Sequence, residues 1–173
     1  MLQTENILLR ALEPEDLSFL YKLENDSTIW EVSSTLTPYS KFVLKDYLAN
    51  SHKDIYEVKQ LRLVIVSIIT SETIGFIDLF DFDPKNRRVG VGIIIASEEN
   101  KQKGYAAESL SLVIDYVFNQ LLVHQVHATI TDSNIASIGL FEKLGFKKYG
   151  VKKDWLATKG EYKDVFLYQL ISE

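Results

Sequence analysis

The sequence of 173 residues contains no cysteine. The chain can therefore form no disulfide bond, offer no thiolate to a metal ion and use no cysteine nucleophile. A chain without disulfides suits a reducing compartment, so we expect a cytoplasmic protein. Any chemistry must come from other side chains, from main-chain groups or from a bound molecule.

Long apolar runs and linker-like segments are also missing. The apolar runs are a few residues long, whereas a membrane helix needs roughly 18 to 20. Glu5 and Asn6 precede any apolar stretch, which is unlike a secretory signal. The three prolines and eight glycines form no Pro/Gly/Ser-rich segment, and no repeat is present. We expect one domain over residues 1–173 and no membrane contact.

The charge balance is mildly acidic. The chain has 19 Lys plus Arg against 24 Asp plus Glu, a net charge of −5, and 46% of its residues are hydrophobic. Such a composition favours a folded chain over a disordered one. Mild acidity argues against nucleic acid as the main partner, because phosphate backbones attract basic surfaces. It is compatible with a cationic substrate.

Hydrophobic periodicity predicts an α/β protein. Residues 6–10 favour a strand, and Pro14 and Thr37 mark the starts of two helices within residues 14–50. Three later runs separated by turn sequences predict an antiparallel meander, and Gly145 is expected to end the last helix in the left-handed conformation. After residue 50 the predicted strands are 61–69, 74–82, 88–96, 124–131, 146–153 and 161–171, and the predicted helices are 104–121 and 134–144.

The most informative segment is the strand RVGVGIIIA, the loop SEEN and the helix start KQKGYAAESL. Lys101, Lys103 and Gly104 lie where the first N–H groups of a helix have no partner within the helix. The positive end of the helix dipole lies behind them, so these groups form a site for an anion such as a phosphate. A solvated basic turn is the plain alternative, and the segment alone does not decide.

Four segments together resemble the GNAT N-acetyltransferases, which use acetyl-CoA. They are LRALEPEDLSFLYKLEND, GIIIASEENKQKGYAAESL, DSNIASIGLFEKLGF and GEYKDVFLYQL, which are similar to the opening strand and helix, the pyrophosphate motif, the motif after it and the closing strand. The resemblance implies a mixed, mostly antiparallel twisted sheet of about seven strands flanked by about four helices. It also implies an enzyme that transfers acetyl to a primary amine by direct attack.

The resemblance implies a position for the co-substrate. Main-chain groups of Ile93, Ile94 and Ile95 would face the thioester and the pantetheine, where this strand parts from the next. The helix from Asn134 to Lys143 would line the other side. The pyrophosphate would be held mainly by main-chain N–H groups of the loop and first helical turn, which comprise Lys101, Gln102, Lys103, Gly104, Tyr105, Ala106 and Ala107.

Three positions depart from the family pattern. Gln102 stands where relatives often have glycine, Phe141 replaces a tyrosine that protonates the departing thiolate, and Gly90 replaces a glutamate that is the base in some members. Phe141 cannot donate a proton, so we expect a slower or solvent-assisted reaction unless Tyr105 or water replaces it. Asp78, on the preceding strand, is the candidate base, with a structural or solvated carboxylate as the alternative.

The histidines give no sign of a metal site. His124 and His127 lie three residues apart on a predicted strand, so they face opposite sides of it and cannot share one ion. We expect no metal ion and no catalytic triad.

The acceptor is the least determined part. Trp30, Glu31, Tyr39 and Asp81 could form an aromatic and acidic pocket for a cation, or the two aromatic residues could simply pack under the helices. The similarity is greatest to polyamine and ribosomal-protein N-terminal acetyltransferases, which favours a polyamine such as spermidine and leaves a protein N-terminus as the alternative. The three departures leave a third interpretation, a CoA-binding module or sensor with little turnover. A homodimer or higher oligomer is compatible with an exposed apolar C-terminal strand.

Overall fold

The computed structural model describes residues 2–33, 35–158 and 160–172. Within them one eight-stranded sheet has the order β1-β2-β3-β4-β5-β6-β8-β7. The strands are β1 (Leu2–Gln3), β2 (Ile7–Arg10), β3 (Leu61–Ser67), β4 (Thr73–Asp83), β5 (Arg88–Ile95), β6 (Gln125–Thr131), β7 (Lys147–Thr158) and β8 (Glu161–Ile171). The α-helices are α1 (Leu17–Glu24), α2 (Trp30–Ser33), α3 (Lys41–Ala49), α4 (Ile55–Val58), α5 (Tyr105–Asn119) and α6 (Ile135–Lys143).

The predicted fold class is confirmed. Strands β3, β4 and β5 form the expected antiparallel meander, β6 joins β5 in parallel, and β8 and β7 close the sheet as a hairpin. The described chain has eight strands and six α-helices rather than about seven and four. The additional elements β1, α2 and α4 have two to four residues, too few to give a periodic signal.

Local capping explains two helix boundaries. The side chain of Ser40 accepts a hydrogen bond from the main-chain N–H of Val43 at 3.2 Å, so α3 starts after Ser40, a little later than Thr37 and Pro38 suggested. Gly145 follows α6 with a φ of 89°, as predicted, because glycine adopts this left-handed conformation without a Cβ penalty.

The sheet separates two hydrophobic cores. Helices α5 and α6 cover one face, where Ile77 and Leu79 of β4 pack with Val113. Helices α1 and α3 cover the other face, where Phe76 packs with Leu20. Because side chains alternate along a strand, Asp78 and Phe80 share the α1 and α3 side with Phe76. This alternation directs both residues toward the cavity described below.

An ion pair between a partly exposed arginine and a buried carboxylate fixes the start of the first helix. Arg10 donates two hydrogen bonds of 2.8 Å to the carboxylate of Asp16, and the main-chain N–H of Glu13 donates a third at 2.8 Å. Burial raises the pKa of Asp16, but the hydrogen bonds from Arg10 and Glu13 outweigh burial and hold this pKa below its ordinary value. The ionised form is therefore the one that the fold stabilises.

Asp16→Asn is expected to lower the free energy of unfolding by about 2 kcal/mol at pH 7, because it removes charge-assisted hydrogen bonds. A lowered pKa contributes stability above the ordinary value of about 3.9 and loses it as the pH falls through the folded value. The difference from wild type should therefore shrink below about pH 4, which urea unfolding at pH 7 and pH 3 will measure. Asp46→Asn, at an exposed position on α3, is the control, and an equal difference at both pH values would contradict the account.

Candidate active site

The sheet opens between β5 and β6. These strands pair only from Arg88 to Gly90, opposite Gln125 to His127. Beyond that point β5 continues to pair with β4 as far as Ile95, while β6 continues to pair with β8 as far as Thr131. The two strands therefore part after Gly90, as expected for the segment that was assigned to the thioester and the pantetheine.

Main-chain groups of β5 alternate between β4 and this opening. The N–H of Ala96 donates to the carbonyl of Ile74 at 2.9 Å, and hydrogen-bonded pairs alternate in an antiparallel ladder. The main chain of Ile94 therefore faces β4, whereas the N–H and C=O groups of Ile93 and Ile95 face the opening. This corrects the expectation that all three isoleucines present main-chain groups there.

The loop before α5 has the geometry of an anion site. Gln102 and Gly104 both have positive φ values, 61° and 87°, on either side of Lys103, and α5 begins at Tyr105. The first N–H groups of α5 have no intrahelical partner and lie at the positive end of its dipole. Lys101 is 2.5 Å from Glu98, and Lys103 is 3.5 Å from the side chain of Asn100, so both ammonium groups lie beside this turn.

Gln102→Gly is expected to stabilise the protein by about 0.5–1 kcal/mol, because glycine adopts positive φ without the steric penalty of a side chain. This geometry explains why a glycine suits the position. Urea unfolding will measure the change. Lys103→Gly is the matched control, since Lys103 has negative φ and the substitution should destabilise the protein. A loss of stability in Gln102→Gly would contradict the prediction.

Glu108 in the first turn of α5 was not identified from the sequence. Its carboxylate accepts hydrogen bonds from the side chains of Thr4 and Asn6, the latter at 2.9 Å. These contacts attach the start of α5 to the segment between β1 and β2. An acid in a first helical turn has a favourable interaction with the dipole anyway, and its partners, about 100 residues away in the chain, leave no local signal.

Helix α6 provides the far wall of the opening. Asn134 caps α6, accepting a hydrogen bond from the N–H of Ser137 at 3.1 Å, and both residues line a cavity of about 230 Å³. Phe141 lines the same cavity, is 3% exposed and packs edge-to-face against Phe146. Lys143 is exposed at the end of the helix. Asn134 and Phe141 thus line one cavity beside the opening, and their contact with the co-substrate stays a prediction.

Tyr105, the suggested replacement for the missing acid, lies elsewhere. It is 7% exposed and belongs to the core cluster beneath α5. It is not among the described residues that line the cavities on either side of the opening. Its phenol is therefore poorly placed to protonate a thiolate in the opening.

A larger cavity of about 620 Å³ lies on the α1 and α3 side of the sheet. The guanidinium group of Arg62 in its wall donates to Asp78 at 2.6 and 3.1 Å and to Glu24 at 2.5 Å. Burial lowers the pKa of Arg62, but the negative charge of Asp78 and the other nearby groups raise it above the ordinary value. Burial also raises the pKa of Tyr47, which lines the same cavity and therefore keeps its proton.

Asp78 is placed as a wall residue of this cavity, but both of its oxygens already accept hydrogen bonds from Arg62. Proton uptake by Asp78 would remove the negative charge that strengthens this bidentate pair. The role of Asp78 as a base stays a prediction, and the structure adds a structural role as the partner of Arg62.

The predicted acceptor residues do not all come together. Tyr39 lines the larger cavity. The indole N–H of Trp30 donates to the carbonyl of Glu24 at 2.9 Å, and neither Trp30 nor Asp81 is among the described residues lining that cavity. Glu31 belongs to α2, and its side chain lies outside the described part of the structure. Glu24, Tyr47 and Arg62 line the cavity instead, although no local motif marks them in the sequence.

The part of the chain that the structure describes lacks two features. No group of three or more His, Asp or Glu side chains converges there as metal ligands would. None of the helices described has the length and the apolar character needed to cross a membrane.

Comparisons with known proteins identify the family of the chain. The family model of the acetyltransferase (GNAT) domain matches residues 6–147. A spermidine N(1)-acetyltransferase of Vibrio cholerae is 30% identical over 159 residues, covering 92% of this chain and 89% of that protein. A putative ribosomal N-acetyltransferase of Bacillus subtilis is 27% identical over 175 residues, covering 96% of this chain and 92% of that protein.

A solved structure extends the comparison to three dimensions. The crystal structure of the Vibrio cholerae spermidine N-acetyltransferase in complex with CoA and spermine has a TM-score of 0.84 and 27% identity, covering 97% of this chain and 96% of that chain. The chain that gives these matches also has the eight-stranded sheet, the loop with unpaired N–H groups before α5 and the opening between β5 and β6. The chain therefore belongs to the acetyltransferase (GNAT) domain family and is an N-acetyltransferase.

Proposed function

We propose that the protein transfers an acetyl group from acetyl-CoA to a primary amine of a small polyamine such as spermidine. The observation that carries this proposal is the opening between β5 and β6, which has an anion loop near one end and an acidic cavity on one side. The residues fit the co-substrate: main-chain N–H groups and two lysines suit a pyrophosphate, and Ile93 and Ile95 direct main-chain groups into the opening. When bound, acetyl-CoA supplies an activated acyl group.

The charge of the larger cavity supports a cationic acceptor. Glu24 and Asp78 contribute two negative charges and Arg62 one positive charge, so the three side chains in its wall retain one net negative charge. The rings of Tyr39 and Tyr47 add aromatic surface to the same wall. A flexible aliphatic cation matches this combination of acid and aromatic groups. The similarity to spermidine N-acetyltransferases supports the same class of acceptor.

The reaction requires the acceptor amine to lose a proton. An alkylamine has a pKa of about 10.4 and is mostly protonated at pH 7, so the cavity must let its proton leave before attack. Asp78 or water in the cavity is the proposed acceptor of that proton. The attack produces an oxyanion, and the main-chain N–H groups of Ile93 and Ile95, which face the opening, are its proposed hydrogen-bond donors. With Phe141 at the acid position, the thiolate leaves with help from water alone.

Two other acceptors or roles are tested by the same experiment. A peptide N-terminus is supported by the similarity to a putative ribosomal N-acetyltransferase. A sensor without turnover is supported by Phe141, which cannot act as an acid. Wild-type protein is incubated with acetyl-CoA and one acceptor in each reaction. The acceptors are spermidine, spermine, lysine amide and a short peptide. Mass spectrometry and free-thiol release measure kcat/KM for each.

We expect acetylated polyamine and the release of one CoA thiol for each acetyl group transferred. The value of kcat/KM for spermidine should be at least tenfold above that for the peptide, a difference of about 1.4 kcal/mol in activation free energy. A higher kcat/KM for the peptide α-amine than for spermidine would favour the alternative, a protein N-terminal acetyltransferase. Calorimetric binding of acetyl-CoA with no acetylated product would favour the sensor.

Assembly belongs to the same proposal. We expect residues 1–173 to act as one cytoplasmic domain that forms a homo-oligomer. The edge strand β7 supports this, because Tyr149, Val151 and Trp155 are 54%, 41% and 59% exposed on it, and exposed apolar patches mark interaction surfaces. Sedimentation velocity will measure the mass in solution, and a monomer at micromolar concentration would contradict the expectation.

A further inference from the structure

Two glycines on β5 leave room for one aromatic ring. A Cβ atom built on Gly90 would lie 2.3 Å from Cε2 of Phe80, and one built on Gly92 would lie 3.6 Å from Cε1 of the same ring. The ring of Phe80 therefore lies over the main chain of β5. The distance at Gly90 is far below the roughly 3.5–4.0 Å of a normal carbon contact, so any side chain there would displace the ring.

The ring lies where β5 and β6 part. Phe80 lines both the larger cavity and the smaller one, together with Gly92, Ile93 and Thr129. Gly92 has no side chain, Thr129 is short, and Ile93 packs against the core beneath α5. Among the described residues that line both cavities, Phe80 therefore has the bulkiest side chain.

Contacts on neighbouring strands hold the ring in this place. Its centroid is 6.1 Å from that of His127 on β6, in an edge-to-face arrangement. Asp81, the next residue after Phe80 in the chain, has a φ of 51°. The pairing of β4 with β5 is irregular at this point. Irregularities of this kind change the direction of a strand and re-aim its side chains.

We infer that Phe80 determines which amines reach the acetyl group. Its ring narrows the junction between the two cavities, so that the junction admits a linear aliphatic amine and excludes one with a branch beside the reacting nitrogen. The inference rests on the proposed function and specifies the shape of the acceptor. Phe80 acts by excluding volume and makes or breaks no bond itself.

The first test is the change of selectivity in Phe80→Ala. Two acceptors are compared: spermidine and a spermidine analogue with a methyl branch next to each of its two primary amines. Wild type is expected to prefer spermidine about tenfold or more in kcat/KM, in line with the discrimination that one methyl group allows. Phe80→Ala should reduce this preference to about threefold or less. Phe80→Leu, which keeps most of the bulk, is the matched control and should retain the preference.

The second test displaces the ring without removing it. Gly90→Ala should push the ring of Phe80 into the junction and lower kcat/KM for both amines. Combining it with Phe80→Ala removes the clash, so the double variant should match Phe80→Ala alone. Calorimetry on the same proteins gives the ratio of Kd values for the two amines, a readout that needs no turnover.

The outcomes separate the inference from the proposed function. An unchanged preference in both kcat/KM and Kd for Phe80→Ala would overturn the inference, while acetylation of spermidine by wild type would leave the function standing. A wild type that acetylates neither amine would overturn the proposed function. In that case the Kd values alone test the role of Phe80. Equal ratios of Kd for the two amines in wild type and in Phe80→Ala would rule out that Phe80 selects between them.

Discussion

Phe141→Tyr is expected to raise kcat with spermidine by about 10- to 100-fold, because a general acid typically contributes about 100-fold or more. The ring of Phe141 lines the smaller cavity beside the opening. A hydroxyl on this ring would add a proton donor near the place where the thiolate leaves. Steady-state kinetics at pH 7 will measure kcat and KM separately.

The control for this experiment is the neighbouring ring. Phe146 packs edge-to-face against Phe141, with centroids 4.9 Å apart, and it does not appear among the described residues that line the two cavities. Phe146→Tyr should therefore not raise kcat above that of wild type. An unchanged kcat in Phe141→Tyr, with an unfolding temperature equal to that of wild type, would show that thiolate protonation does not limit the reaction.

Arg62→Met is expected to lower the free energy of unfolding by about 3 kcal/mol, because it leaves two paired carboxylates without their cation. Glu24 and Asp78 have side chains that are 15% and 27% exposed, so solvent replaces the lost interaction only in part. For a chain of this length the unfolding temperature should fall by roughly 6–12 °C. Differential scanning calorimetry will measure the shift.

Arg88→Met is the matched control for the loss of Arg62. Arg88 is 3.2 Å from Asp83, but its side chain is 50% exposed, and exposed pairs typically contribute less than about 1 kcal/mol. The two variants remove the same charge and add the same side chain. Similar unfolding temperatures for both would contradict the view that the cluster around Arg62 holds the wall of the larger cavity.

The sequence predicted the parts of the site that depend on local geometry. The segment KQKGYA predicted a helix start with unpaired N–H groups, and the structure has positive φ at Gln102 and Gly104 there. Asn134 was expected at the start of a helix and caps it. Strand spacing and turn residues predicted the meander, because both signals lie within a few residues of the feature that they specify.

The rest depends on contacts between distant segments. Arg62 is 16 residues from Asp78 and 38 residues from Glu24 in the chain. Strand register pairs it with Asp78, and the packing of α1 on the sheet brings Glu24 to it. From the sequence, Gly90 was described only as a replacement for a catalytic glutamate. In the structure the ring of Phe80 fills the space above Gly90. Such residues have no periodic or motif signal, so only the folded chain identifies them.

The most direct test of the account is the crystal structure of the protein in complex with CoA and spermidine. The account predicts the pyrophosphate at residues 101–107, the pantetheine between β5 and β6, and the polyamine in the cavity lined by Glu24, Asp78 and Tyr47. One of the two primary amines of spermidine should approach the thiol past the ring of Phe80. CoA bound outside the opening between β5 and β6, or spermidine bound away from this cavity, would contradict the account.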